Sequence, residues 1–175
     1  MSATSWSYDV SDAATLRRGF AAFATGVTVV TVGGEQMHGM TANSFTSVSL
    51  DPPLVLVCVD REAQMHDRLK AADGFGVSVL SAPQEWVARH FASRSRPPGP
   101  AQFDTVDWMP GLKTGAPLIA GALATFECEV WRTCDGGDHT IFIGEVLCMA
   151  RDTGHRALIF LDGRFQEASI RAEAA

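Results

Sequence analysis

The chain has 175 residues, 46% hydrophobic and 19% charged, which suits one globular domain of ordinary composition. Fourteen basic against twenty acidic side chains leave a formal charge of −6, which lacks the clustered positive charge that a nucleic-acid backbone demands. No apolar run approaches the roughly 18–20 residues of a membrane span, and Met1–Val10 carries no secretory pattern. Cys58, Cys128, Cys134 and Cys148 form no CxxC pair and fall in strand-like segments, so they read as reduced, buried or half-buried thiols of a cytoplasmic protein. The five histidines are scattered, so no metal site is predicted.

In chain order, Ser11 or Asp12 caps a helix in which Leu16, Phe20 and Phe23 recur at helical spacing, ending near Gly26. Val27–Val32 is β-branched at almost every position and reads as a strand. Gly33-Gly34 signals a hairpin into Met37–Thr41. Phe45–Leu50 follows as a strand stopped by Asp51-Pro52-Pro53. Leu54–Val59 is continuously apolar and reads as a central, buried strand. A helix over Ala63–Ala72, a strand over Gly74–Leu80 and a helix from Pro83 to about Ala92 come next. Ser93–Gly111, with four prolines, reads as a long loop of the kind that often carries function.

Ala124–Val130 alternates apolar with polar residues, the period of a half-buried strand. Gly136-Gly137 turns the chain back through His139–Ala150, and Ala157–Leu161 adds one more strand. Many strands with short turns predict an antiparallel barrel. One domain is expected over residues 11–168, with a flexible segment at 1–10 and a tail at 169–175.

Several nucleotide and hydrolase signatures are missing. No GxxxxGK[ST], GxSxG or HExxH is present, and Gly74-Phe75-Gly76 is followed by Val79 where a dinucleotide fingerprint needs its third glycine. If the protein is an enzyme, a cofactor supplies the chemistry and the chain supplies placement.

Gly39-Met40-Thr41-Ala42-Asn43-Ser44-Phe45-Thr46-Ser47-Val48-Ser49-Leu50-Asp51-Pro52-Pro53 resembles the signature of the short-chain flavin reductases, which include the reductase components of two-component flavin monooxygenases. Three further stretches match in order: Phe23–Thr31, Gly137–Val146 and Phe160–Phe165. The resemblance spans roughly Leu16 to Phe165. It implies a mainly β fold, a six-stranded antiparallel Greek-key split barrel of the FMN-binding type, and a homodimer with flavin near the subunit boundary.

By that resemblance Thr41, Ala42, Asn43 and Ser44 lie toward the flavin phosphate and ribityl chain, and Ser47, Val48 and Ser49 along the isoalloxazine. Read without it, the same stretch is a Ser/Thr-rich turn between strands. Cys58, Val59, Asp60 and Arg61 stand where the family has further flavin contacts, or form a strand end with a solvated Asp-Arg pair. Phe91 and Ala92 match a segment whose aromatic lies near the flavin. Glu62–His66 departs from the family, whose members often carry Ser, Arg or Thr there to hold phosphate.

His139, the one residue assigned a catalytic role, stands where the family touches the nicotinamide or the flavin edge. Arg164 is placed to pair with pyridine-nucleotide phosphates and Phe165 to pack on the cofactor; otherwise both belong to an exposed turn. The implied activity is NAD(P)H:flavin oxidoreduction, with FMN or FAD as acceptor and NADH or NADPH as donor. A partner monooxygenase would receive the reduced flavin. The alternatives are a flavin-binding electron carrier, or an oxidoreductase of the same fold that keeps its flavin tightly bound.

Overall fold

The computed structural model describes residues 11–168; the expected leading segment 1–10 and tail 169–175 lie outside the described residues. Asp12 caps α1 (Ala13–Ala21) by accepting from the Ala14 and Thr15 amides. This helix is shorter than its apolar spacing predicts, because Thr25–Gly26 leaves it to form β1 and pairs with Ile159 and Phe160. No residue of α1 is buried, and Phe20 and Phe23 are 68% and 77% exposed.

The chain continues through β2 (Thr28–Val32), β3 (His38–Ala42), β4 (Thr46–Leu50), β5 (Pro53–Asp60), α2 (Gln64–Ala71), β6 (Gly74–Val79) and α3 (Glu85–Ala92). Then come β7 (Trp108–Pro110), β8 (Pro117–Ile119), β9 (Ala124–Gly136), β10 (His139–Arg151), β11 (Leu158–Leu161) and β12 (Arg164–Glu167). The protein is mainly β, as expected. Among the described residues no helix is long and apolar enough to cross a membrane.

The main sheet is antiparallel throughout and has seven strands in the order β3-β2-β6-β9-β10-β5-β4, not the expected six. Its two edge strands are consecutive in sequence, joined only by residues 43–45. Those three residues span at most about 14 Å fully extended, whereas the edges of a flat seven-stranded sheet stand about 29 Å apart. The sheet must therefore coil until β3 and β4 approach. The two strands do not hydrogen-bond, so the coil stays open along a seam between them.

One core cluster fills the coil, with Val30, Val57, Phe75 and Phe142 joined by Met65 and Leu69 of α2. A second lies outside β2, where Val27 and Val29 meet Val87 and Phe91 of α3, Phe103 and Ile119. Between the two clusters β2 is buried at all five positions, which is why it is β-branched on both faces.

β5 is not the central, fully buried strand that its apolar run suggests. It lies next to the β4 edge and alternates: Val55, Val57 and Val59 are buried, while Leu54, Leu56 and Cys58 are half-buried on the outer face. The Ser93–Gly111 stretch is also less open than expected. It buries Gln102 and Phe103, and the Gln102 and Arg96 side chains bond to the N–H and C=O of Gly39 at 2.8 and 2.9 Å. Those bonds shield the β3 edge. Of the four thiols Cys128 is buried, Cys58 and Cys134 are half-buried, and Cys148 is exposed, outside the predicted range.

Candidate active site

The quoted signature forms the seam itself. On β3 the Thr41 hydroxyl donates to the Ala88 carbonyl of α3 at 2.6 Å, and the neighbouring Ala42 is buried. The Ser44 hydroxyl donates to the Cys58 carbonyl at 2.9 Å and accepts from the Cys58 amide at 3.1 Å, tying the crossover to β5. Asn43, Thr46, Ser47 and Val48 are exposed. Val48 is the extra residue of a β-bulge between Ser47 and Ser49, and Ser49 accepts from the Asp51 amide at 3.2 Å. Bulges re-aim side chains near sites, and an edge strand leaves alternate backbone groups unpaired. The Asn43 amide and the Ser47 hydroxyl make no hydrogen bond among the described residues, so the seam offers free donors and acceptors to a polar ligand.

Register places the second half of the site. Residues opposite one another in adjoining antiparallel strands share a face. Val57 lies opposite Phe142, both fully buried; Cys58 lies opposite Ile141 and Leu56 opposite Ile143, all half-buried on the outer face. The same parity carries Asp60 and His139, which are directly opposed, to the outer face, and Val59 and Thr140 to the inner one. Cys58 precedes Asp60 by two residues, about 7 Å of strand. The Ser44 tether thus brings the seam close to His139.

The turn bearing His139 is held from several directions. Gly137 adopts φ 80°, a left-handed conformation suited to glycine. Arg61 donates its amide to the Asp138 carbonyl at 3.0 Å and its Nε to the His139 carbonyl at 3.4 Å, and it pairs with Asp135 at 3.1 Å. Arg61 therefore clamps this turn. The half-buried His139 places Nδ1 2.7 Å from Asp138 Oδ1. Hydrogen bonding to His139 holds the Asp138 carboxyl below its ordinary range. Burial pushes the Cys58 thiol up, so it does not stand as a thiolate. Asp60 accepts from the Glu62 amide at 2.9 Å and shapes the entry to α2.

Not every expected contact gathers here. Phe91 is fully buried, and a Cβ on Gly39 would lie 2.6 Å from its ring, so it packs the core instead of offering a face to a ligand. Val59 is likewise a core residue, while Ala92 is exposed at the end of α3. Arg164 and Phe165 lie on β12, in a separate three-stranded sheet. Phe165 packs against Phe160 and beneath the Arg89 guanidinium, 4.9 Å from its ring centre. From there α3 leads to the seam through the Ala88–Thr41 bond. The sequence reading missed Asp138 and the outward Ile141 and Ile143, although the two-residue period of β10 sets both isoleucines on the His139 face.

A sequence model of the flavin reductase like domain matches residues 20–169. The chain belongs to the flavin reductase family. This flavin reductase is 60% identical over 165 residues, 94% of its length and 91% of the relative's, to an NADH-dependent FAD reductase of Streptomyces globisporus. The solved structure of that organism's NADH:FAD oxidoreductase SgcE6, in complex with NAD and FAD fragments, superposes with a TM-score of 0.91 at 54% identity, covering 97% of this chain and 100% of that one. BorF, the flavin reductase component of a bacterial two-component tryptophan halogenase, superposes at 0.88 with 55% identity, covering 91% and 100%.

Proposed function

We propose that this flavin reductase oxidises NADH and reduces FAD at the outer face of β4, β5 and β10, beside the open seam, and releases the reduced flavin to a partner oxygenase. What carries the reading is the uncovered edge strand β4, whose free polar groups adjoin the face bearing His139. Asn43, Ser47 and the β4 backbone edge suit the hydrogen-bonding atoms of a flavin, and Thr41 and Ser44 keep that edge in place through α3 and β5. When both substrates are bound, a hydride passes from nicotinamide C4 to flavin N5, chemistry that needs no protein nucleophile. The chain holds the rings in order and turns a collision into an oriented reaction. Donors along β4 stabilise the charge that arrives with the hydride, and His139 meets the nicotinamide.

Leu54, Leu56, Ile141 and Ile143 form a half-buried apolar outer face that belongs to neither core cluster. We read that face as the contact between two copies of the chain, with the seam as the split of a split barrel. The names of its relatives, among them reductase components of a monooxygenase and a halogenase, support NADH as donor, FAD as acceptor and use of the reduced flavin by a partner enzyme. The test is to follow NADH and NADPH oxidation with FAD or FMN added. Fast NADH oxidation that saturates with FAD, and slows in His139→Ala through a raised KM for NADH, is the expected result. Flavin binding without NADH oxidation contradicts the proposal.

A further inference from the structure

The Asp138–His139 pair has a chemical consequence for how the nicotinamide is recognised. An ionised carboxylate only accepts hydrogen bonds, so a histidine nitrogen 2.7 Å from Asp138 Oδ1 must carry a proton. That nitrogen is Nδ1. In a neutral imidazole the other nitrogen, Nε2, is then left with a lone pair and accepts. The backbone of the pair is fixed independently of its side chains. Arg61 holds the Asp138 carbonyl, the His139 carbonyl and Asp135 together, and the Gly137 amide donates to Asp135 Oδ1 at 2.9 Å. Strand register sends His139 to the outer face.

We propose that Asp138 is a positioning residue that fixes a proton on Nδ1 of His139, so that when the imidazole carries a single proton Nε2 is free to accept the carboxamide N–H of the dihydronicotinamide. This rests on the reading that His139 meets the nicotinamide. It makes His139 a reader of the amide group and Asp138 the residue that sets its polarity. The hydrogen bond that holds the Asp138 carboxyl below its ordinary range is the same contact seen from the acid side. Asp138 has a 91% exposed side chain, so its replacement leaves the fold intact.

The test compares wild type with Asp138→Ala and Asp138→Asn. Long-range 1H–15N correlation spectra at alkaline pH read the His139 tautomer directly. Steady-state rates at saturating FAD give kcat/KM for NADH and for its reduced 3-acetylpyridine analogue, which has no amide N–H to donate. The wild type is expected to show the Nδ1–H form, and Asp138→Ala the Nε2–H form that free imidazole favours. The preference for NADH over the analogue falls about threefold to tenfold in Asp138→Ala, the worth of one neutral hydrogen bond. Asp138→Asn, whose side-chain oxygen still accepts, recovers part of both. An unchanged tautomer or an unchanged preference in Asp138→Ala overturns the proposal. A wild type that oxidises no NADH with either flavin overturns the underlying reading and this proposal with it.

Discussion

The outer face of the coiled sheet is treated differently on its two sides. Over β2 and β6 it is covered by α3, the 93–103 segment and β8. The Thr31 hydroxyl reaches the Pro117 carbonyl at 2.6 Å, and the Ile119 amide reaches the Ser78 hydroxyl at 3.0 Å. Over β10, β5 and β4 it carries no such cluster: Leu54, Leu56, Ile141 and Ile143 belong to neither core and are half-buried. The covered half stabilises the protomer. The bare half carries the exposed signature residues and His139. In the proposed reading, function lies where the sheet's own cover stops.

The sharpest way to break that comparison is to attack the covered half. Phe91→Ala removes a fully buried ring and is expected to cost about 3–5 kcal/mol in denaturant unfolding. NADH oxidation by the remaining folded fraction, measured per folded molecule, should stay near wild type. A specific loss of flavin saturation without loss of stability would return Phe91 to the site.

Glu127 comes next in size. Its buried carboxylate accepts from the Leu112, Lys113 and Thr114 amides at 2.8–3.0 Å and from the Thr114 hydroxyl, anchoring the loop before β8. Burial raises its pKa, but these four hydrogen bonds outweigh burial and the net shift is downward. A lowered folded pKa means that the contribution is complete above the ordinary value of 4.5 and is lost as pH falls through the folded value. Glu127→Gln should cost about 1.5–3 kcal/mol at neutral pH and make stability less dependent on acid over that window. Parallel pH–stability curves for the two proteins would refute the anchor.

On the bare half the expected stability effects shrink and the functional ones grow. Ser44→Ala removes the tether to Cys58 and is expected to cost about 1 kcal/mol, with a severalfold rise in KM for FAD. Ile143→Lys should change protomer stability by only about 0.5 kcal/mol. In sedimentation the wild type is expected to run at a two-chain mass and Ile143→Lys at the mass of one chain. If the wild type already sediments as a single chain, the outer face is not a contact between copies.

Much of this was legible in the residues. The β-branched run of β2 and the glycine turns located most strands within a residue or two. The alternation along β9 found its start at Ala124 but stopped six residues short of its end at Gly136. What failed was context. β2 and β5 look alike as apolar runs, yet one is buried on both faces and the other on one. The difference comes from segments 50 or more residues away, α3 and β8, which no local pattern reveals. The same non-locality hid the strand order and the seam.

The short strands β1, β7, β8 and β12 have two to four residues each. That is too few for periodicity to register, although Asp162-Gly163 with positive φ marks the β11–β12 turn. The site motif was legible as a cluster of small polar residues. Its division was not: Ser44 and Thr41 are occupied as structural ties, Phe91 went to the core and Arg61 to the His139 turn, leaving Asn43 and Ser47 open.

Hydrogen–deuterium exchange on the wild-type protein, with and without FAD, tests most directly whether the bare half is the site. FAD should slow exchange at residues 43–50 and at the 137–141 turn while leaving 93–111 unchanged. Protection confined to 93–111, with none at 43–50, would place the flavin on the covered half and contradict the account.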